Sequence, residues 1–360
     1  MLTADGCRQR RRRFLDVLRP TERLLLADPI HLRYLANFHV EPFSHGADFG
    51  GILELKPDGR ATLYHDNRLP KTVIRAHADE QFAVPWYTGQ EPGQGPRRMI
   101  LHPAVEGGGD RVHDALSDPL APRIHDILAE MRRRKDPDEV AVLRECMRVT
   151  EAGHAWARAN IRPGMTELDV YARVCKACNE AAGHWVLVYG DFVVCPGPAR
   201  RTGPPTPRVI EPGETFILDF SVVIQGYRSD FTNTLVVGRE PTADQQRLFD
   251  LCVLALSAGE NELRPGRSCQ AVYDSVHLVF DAVGMDDHFP HHAGHGLGLS
   301  HPEPPFFVWR RATETLVAGD VVTLEPGLYV DGVGGVRVEH NYLITQTGFE
   351  RLSNHVLSLT

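Results

Sequence analysis

The chain has 360 residues, with 42% hydrophobic and 24% charged content, a globular composition too long for one ordinary core, so two domains are expected. The formal net charge of -8 argues against nonspecific nucleic-acid binding, and no apolar stretch is long enough to span a bilayer or to serve as a secretory signal at the N-terminus. The seven cysteines are odd in number and scattered, which suits a reducing cytoplasm.

Residues 8–18 read as a helix, with Arg8, Arg10, Arg11, Arg12 and Arg13 on its solvated face. Leu24-Leu25-Leu26-Ala27 reads as a buried strand. Ile52–Leu55 and Ala61–Tyr64 flank Asp58-Gly59 and read as a hairpin. A helix is predicted over 68–78 with Pro70 in its first turn, and Met99-Ile100-Leu101 is a candidate short strand. The loop-rich stretch with Gly107-Gly108-Gly109, Pro119 and Pro122 places a domain boundary near residue 130, giving domains 1–130 and 131–360.

The second domain opens with Asp136-Pro137-Asp138-Glu139, an N-terminal helix signature, and Val140, Leu143 and Met147 follow at helical spacing. Thr166-x-x-Asp169 starts another helix as a capping box. That helix carries Cys175-x-x-Cys178, which lacks a second such pair and reads as core packing. A strand at 185–195, a Pro/Gly-rich loop, a hairpin, helices over 242–258 and 268–283, a His-rich stretch and a second hairpin complete the order. The order predicts an α+β arrangement, with helices covering one face of a curved antiparallel sheet.

The two hairpins carry the chemistry. Asp219 and Asp230 are equidistant from a turn centred between Ile224 and Gln225; directly opposed, their Cβ atoms would lie about 4.5–5.5 Å apart. Two carboxylates on a half-buried sheet repel, so a bound cation is expected between them. Glu325 and Glu339 repeat the arrangement about Gly332. The surroundings repeat as well: Gly213 precedes Asp219 by six residues and Gly319 precedes Glu325 by six, and Gly226-x-Arg228-x-Asp230 matches Gly335-x-Arg337-x-Glu339. Upstream, Arg162-Pro163-Gly164-x-Thr166 matches Arg264-Pro265-Gly266-x-Ser268. This internal duplication would bring two carboxylate pairs to one pocket. Between the hairpins, His295 is flanked by Gly294 and Gly296, which permit close approach to a bound group. Four carboxylates and one imidazole suit two divalent metal ions (manganese foremost, otherwise cobalt, zinc or iron).

These motifs resemble the "pita-bread" metallopeptidases: Xaa-Pro aminopeptidases, prolidases and methionine aminopeptidases, with the metal-free creatinases as relatives. The matching pieces are Leu218-Asp219-Phe220, Gly226–Asp230, Gly294–Leu299, Leu324-Glu325-Pro326-Gly327-Leu328-Tyr329 and Gly335–Glu339, together with Lys135–Glu139 and Arg162–Glu167. Around Tyr34–Phe38 the first domain is similar to the smaller creatinase-type α/β domain. The resemblance implies a pita-bread catalytic domain with Asp219, Asp230, His295, Glu325 and Glu339 as metal ligands. Asp230 and Glu339 would bridge, and Glu325 would handle the proton of the attacking water. It also implies a homodimer.

Three positions depart from the family pattern. The loop before the first Asp usually carries a histidine; here it reads Gly197–Thr206, with Thr202 nearest to that position. His301 follows His295 by six residues, and Pro302 separates it from Glu303; His340 follows the final Glu. His301 is the candidate oxyanion stabiliser or proton donor, and Thr202, His291 and Arg337 are candidate substrate-binding residues. His291 reads equally as a loop histidine, and Arg337 as an orienting residue; His288 and His292 read as solvated. The leading reading is a metal-dependent hydrolase of an amide or peptide C–N bond, similar to an Xaa-Pro aminopeptidase or dipeptidase, acting on a small peptide or amide. The rivals are a small-molecule amidohydrolase or lyase on the same scaffold, and an inactive binding member.

Overall fold

In the computed structural model, the described residues are 1–40, 50–69, 74–85, 90, 105, 111–306 and 312–360. They form two compact units, Met1–Arg132 with Asp136–Glu139, and Arg133–Lys135 with Val140–Thr360.

In the first unit, helix Ala4–Leu18 is capped by Thr3, and helix Pro29–Ala36 by Asp28, whose side chain accepts from the Ile30 and His31 amides. Strands β1 (Leu24–Leu26), β2 (Gly51–Leu55), β3 (Ala61–Asp66) and β4 (Glu80–Val84) form one sheet in that order; β3 and β4 are parallel and the other pairs antiparallel. Helix Ala121–Arg133 follows. The arginine cluster departs from expectation. Arg10 and Arg11 are buried, and Arg10 donates to Asp136 at 3.0 Å, Asp138 at 2.9 Å and the Tyr34 carbonyl at 2.9 Å. Arg11 donates to the carbonyls of Leu35 and His77. A guanidinium can be buried when carboxylates and carbonyls take its donors, and these acceptors lie too far along the chain for local periodicity to reveal. The helix expected over 68–78 is not found at 68–69 or 74–78; 70–73, Met99–Leu101 and Gly107–Gly109 lie outside the described residues.

The second unit shows the duplication in its backbone. Gly164 and Gly266 both have positive φ (89° and 82°), and their amides donate to Ile210 and Leu316. Thr166 and Ser268 then cap helices Glu167–Ala182 and Cys269–Asp281. Further along, Gly213 (φ 92°) donates to Val237 and Gly319 (φ 99°) to Ile344. Only a residue without Cβ takes these left-handed turns cheaply, so the paired glycines set the same entry into both hairpins.

The first hairpin comprises β6 (Thr215–Ile224), β7 (Tyr227–Arg228) and β8 (Phe231–Val236), with β5 (Leu187–Val194) on the other side of β6. Its register differs from the predicted one. Ile224 pairs with Tyr227 across a two-residue loop in which Gln225 and Gly226 both have positive φ (52° and 88°). This is the turn that matches strand twist, and it centres the hairpin one residue later than expected. Asp219 therefore pairs with Thr232, and Asp230, in the break between β7 and β8, stands across from Ser221, whose hydroxyl lies 3.4 Å away. The offset is two residues, so both carboxylates keep one face of the sheet. The second hairpin is symmetric about Gly332 as expected: β12 (Gly327–Val330) pairs with β13 (Gly334–Arg337), and β11 (Val321–Leu324) with β14 (His340–Ile344).

The curved sheet is not one continuous ladder. The first hairpin forms one sheet, β12–β13 a second, and β9 (His295–Gly296), β10 (Glu303–Phe306), β11, β14 and β15 (Phe349–Arg351) a third. The Thr234 hydroxyl donates to the Arg337 carbonyl and accepts from its amide, the Glu339 amide donates to the Thr232 carbonyl, and the Asn341 carboxamide bonds both backbone groups of Asp230. These bonds hold the hairpins together where ladder pairing stops. Helices Ala243–Glu260 and Cys269–Asp281 bury Cys252, Leu256, Val276 and Phe280 against Val322, Leu324 and Val336 in the main core.

Candidate metal centre

Five expected ligands converge. Asp219 is in mid-β6, Asp230 follows β7, His295 begins β9, and Glu325 and Glu339 follow β11 and β13. Asp219, Asp230 and Glu339 each offer an oxygen within 4.8 Å of the others, and Asp230, His295 and His301 form a second such group, so Asp230 belongs to both. His295 Nε2 lies 3.5 Å from Asp230 and 3.6 Å from Glu325. An added Cβ at Gly294 would overlap the Thr323 carbonyl oxygen, so glycine there lets the His295 backbone lie against β11.

Burial and mutual repulsion act unevenly on the carboxylates of this constellation. Burial raises the Glu339 carboxyl far above the usual carboxylate range, and the charges of Asp230, Asp219 and Glu325 raise it further. Asp219 is also raised, by burial first and then by Asp230 and Asp191, against the pull of Arg337. Glu325 goes the other way: burial pushes it up, but His292, His295 and His291 outweigh burial and leave it low. Glu339 Oε2 accepts from the Thr232 hydroxyl at 2.6 Å, while Oε1 is buried with no hydrogen-bond partner among the described residues. A buried carboxylate oxygen without a partner is costly, and a cation resolves it. Oxygen-rich donors with one imidazole fit a hard or borderline divalent ion.

Sequence reasoning missed Asp191. It pairs with Asp219 on the neighbouring strand β5, and the Arg337 guanidinium donates to both, at 2.7 and 2.6 Å. Arg337 also donates to the Tyr329 hydroxyl at 3.1 Å, and Tyr329 meets His291 Nε2 at 2.9 Å. Arg337, a candidate for substrate binding or for orienting its neighbours, is buried with its Nη groups on these protein acceptors. His291 Nδ1 donates to the His292 carbonyl, so both of its nitrogens are engaged, and burial lowers its pKa to about 4. His292, read as solvated, is instead half-buried with Nδ1 3.3 Å from Glu325. Thr202 is exposed, and the amide of the next residue, Gly203, donates to Asp191. The neighbouring Arg201 lies over the Tyr329 ring at 5.8 Å. His340 faces away from the carboxylates, as strand alternation from Glu339 requires, and meets Ser353 at 2.9 Å.

His301 Nε2 lies 2.5 Å from Asp230 Oδ2. Burial disfavours its imidazolium, but the hydrogen bond and charge of Asp230 outweigh burial, so its pKa is above the ordinary value. Glu303, two residues on, is an anchor: it is buried, its carboxylate takes the Lys135 ammonium at 2.6 Å and lies 3.3 Å from the Ser300 amide. Lys135→Met removes the 2.6 Å ammonium contact to that buried carboxylate and should lower stability by on the order of 1 kcal/mol or more. Chemical denaturation reads this directly, and an unchanged midpoint would contradict the anchoring.

The family model described as metallopeptidase family M24 matches residues 141–346. The chain belongs to this family. An uncharacterised peptidase of Staphylococcus aureus (strain USA300) is 28% identical over 233 residues, 63% of this chain and 64% of that protein, so the match spans less than two thirds of the relative's length. The M24 chain shares its fold with an Xaa-Pro dipeptidase from Bacillus anthracis, with a TM-score of 0.78 at 24% identity over 99% of each chain. It also shares it with an X-Pro aminopeptidase from Thermotoga maritima MSB8, with a TM-score of 0.79 at 19% identity over 100% and 99% of the two chains. A prolidase from Pyrococcus horikoshii OT3 gives a TM-score of 0.76 at 21% identity over 98% and 99%. The family resemblance and the pita-bread fold expected from the motifs are borne out, and M24 membership implies divalent metal ions.

Proposed function

We propose that this M24 chain is a metal-dependent Xaa-Pro peptidase holding two divalent cations, manganese as first choice, between Asp219, Asp230, His295, Glu325 and Glu339. The observation that carries the reading is the meeting of Asp219, Asp230 and Glu339 beside the partnerless Glu339 Oε1, with Asp230 and Glu325 both close to His295. Membership of Asp230 in two of the three donor groups suits a bridging position. When bound, the cations supply Lewis acidity and lower the pKa of water. Glu325, kept ionised by its histidine neighbours, takes the proton of the attacking water. His301 holds a proton beside Asp230 and offers it to the oxyanion or the leaving nitrogen. Arg337 and Asp191 hold Asp219 in place, and Arg337 orients Tyr329 and, through it, His291.

The test is a metal-reconstituted screen of Xaa-Pro dipeptides, longer Xaa-Pro peptides and acylated amino acids. Metal-stimulated cleavage of an Xaa-Pro bond is expected, and its absence would overturn the peptide reading. The exposed Thr202, at the position of the usual histidine, favours a second reading as a small-amide hydrolase, which cleavage confined to acylated amino acids would support. Failure to bind metal would leave only the binding-module reading. We further propose a homodimer, checked by solution mass measurement, and a reducing cytoplasmic setting. Seven free thiols, all but Cys175 buried, support that setting, and no described helix is long and apolar enough to cross a membrane.

A further inference from the structure

The first unit contains a separate cluster of donor groups. Asp28, His31 and His125 each offer a ligand atom within 4.8 Å of the others. Asp28 caps helix Pro29–Ala36 through Oδ1 alone, which accepts from the Ile30 amide at 2.8 Å and the His31 amide at 3.2 Å, so Oδ2 is left over from the cap. His31 is buried, and its Nδ1 lies 2.9 Å from the Asp114 carboxylate. An ionised carboxylate only accepts, so in the neutral ring Nδ1 carries the proton and Nε2 has the lone pair. His125, on helix Ala121–Arg133, has Nε2 3.0 Å from the Asp114 backbone carbonyl, which also only accepts. Its Nδ1 therefore keeps a lone pair. The two rings lie with centroids 4.6 Å apart and planes inclined at 46°.

One residue, Asp114, fixes both tautomers, one through its side chain and the other through its backbone. Its carboxylate is itself held by the amides of Ala27 and Asp28, at 2.9 and 3.0 Å. A histidine that donates one nitrogen to a carboxylate or carbonyl presents the other as a metal ligand, and such outer partners orient the ring and raise its basicity. Two imidazoles in these tautomers and one carboxylate form a donor set suited to zinc.

We propose that Asp28, His31 and His125 bind one zinc ion in the first unit, independently of the catalytic cations. The ion would tie helix Pro29–Ala36 to helix Ala121–Arg133, far apart in sequence, and so stabilise the unit. Asp28 and His125 are half-buried, so solvent reaches the cluster, and water would complete the four-coordinate shell.

The test compares zinc binding by the full chain with that of two variants. Asp28→Ser keeps a side-chain cap on the helix but removes the ligand oxygen. His125→Ala removes a half-buried ring. Each variant is expected to bind one zinc equivalent fewer than wild type, or to hold it at least about 10–100-fold more weakly. Each should also lose the zinc-dependent rise in Tm while peptidase activity under saturating manganese stays unchanged. Equal zinc stoichiometry and affinity in wild type and both variants would overturn the site, whether or not zinc also enters the catalytic centre.

Discussion

Asp230→Asn is expected to release the catalytic cations and abolish turnover while the fold survives. Asp230 is 8% exposed, its carboxylate faces His295 and His301, and it belongs to two of the three donor groups of the centre. Asparagine has almost the same shape and leaves the backbone of residue 230 free to keep its bonds to Asn341. It removes one negative charge and replaces an acceptor oxygen with a donor nitrogen, which cannot serve a cation. Losing an outer-shell partner alone weakens metal binding about 10–100-fold, and losing a ligand shared by two ions should exceed that. Equilibrium dialysis with metal analysis measures the effect, and circular dichroism checks the fold. Two manganese equivalents held as tightly as in wild type would remove Asp230 from the centre.

His301→Ala should lower turnover by about 10²–10⁴-fold, the usual contribution of a positioned acid or base, with manganese content unchanged. His301 sits 2.5 Å from Asp230, so the imidazole is placed at the edge of the centre with a proton to give. Amide cleavage needs both an oxyanion stabiliser and a proton for a poorly leaving nitrogen, and the loop before Asp219 offers the hydroxyl of Thr202 and no histidine. A hydroxyl donates a hydrogen bond but does not deliver a proton near neutral pH. Thr202→Ala, at an exposed position, should therefore change KM more than kcat. Single-turnover kinetics on the best substrate separates these effects. Undiminished cleavage by His301→Ala would return His301 to an ordinary loop role, and a loss of manganese with it would make His301 a ligand instead.

The five candidate ligands were legible because each lies in a short local pattern with glycines that serve a backbone purpose. Gly164, Gly213, Gly266 and Gly319 all have positive φ, so the repeated glycines in the sequence correspond to repeated turns. The capping box at Thr166 and Asp169 was legible for the same reason, since it joins residues one helical turn apart. Asp191 was not legible: the guanidinium that pairs it with Asp219 lies 146 residues away, and nothing around Asp191 marks it. Arg10, Arg11 and His292 were misread as solvated because a charged or polar side chain is exposed by default, and only distant partners reverse that.

By itself, the sequence determined the doubled unit with its helices and hairpins, but not the helices Pro29–Ala36 and Ala121–Arg133 of the first unit. It also determined which carboxylates of the first hairpin share a sheet face, because a two-residue register error leaves side-chain alternation intact. Tertiary structure decided the rest. The turn at Gln225 and Gly226 set the register, so that Thr232, not Asp230, stands opposite Asp219. Thr234 and Asn341 joined hairpins that share no continuous ladder. Arg337 became an internal brace for Asp191 and Asp219. The turn is local, but the last two outcomes depend on hydrogen bonds between segments distant in the chain, and burial decides which donors and acceptors must find each other there.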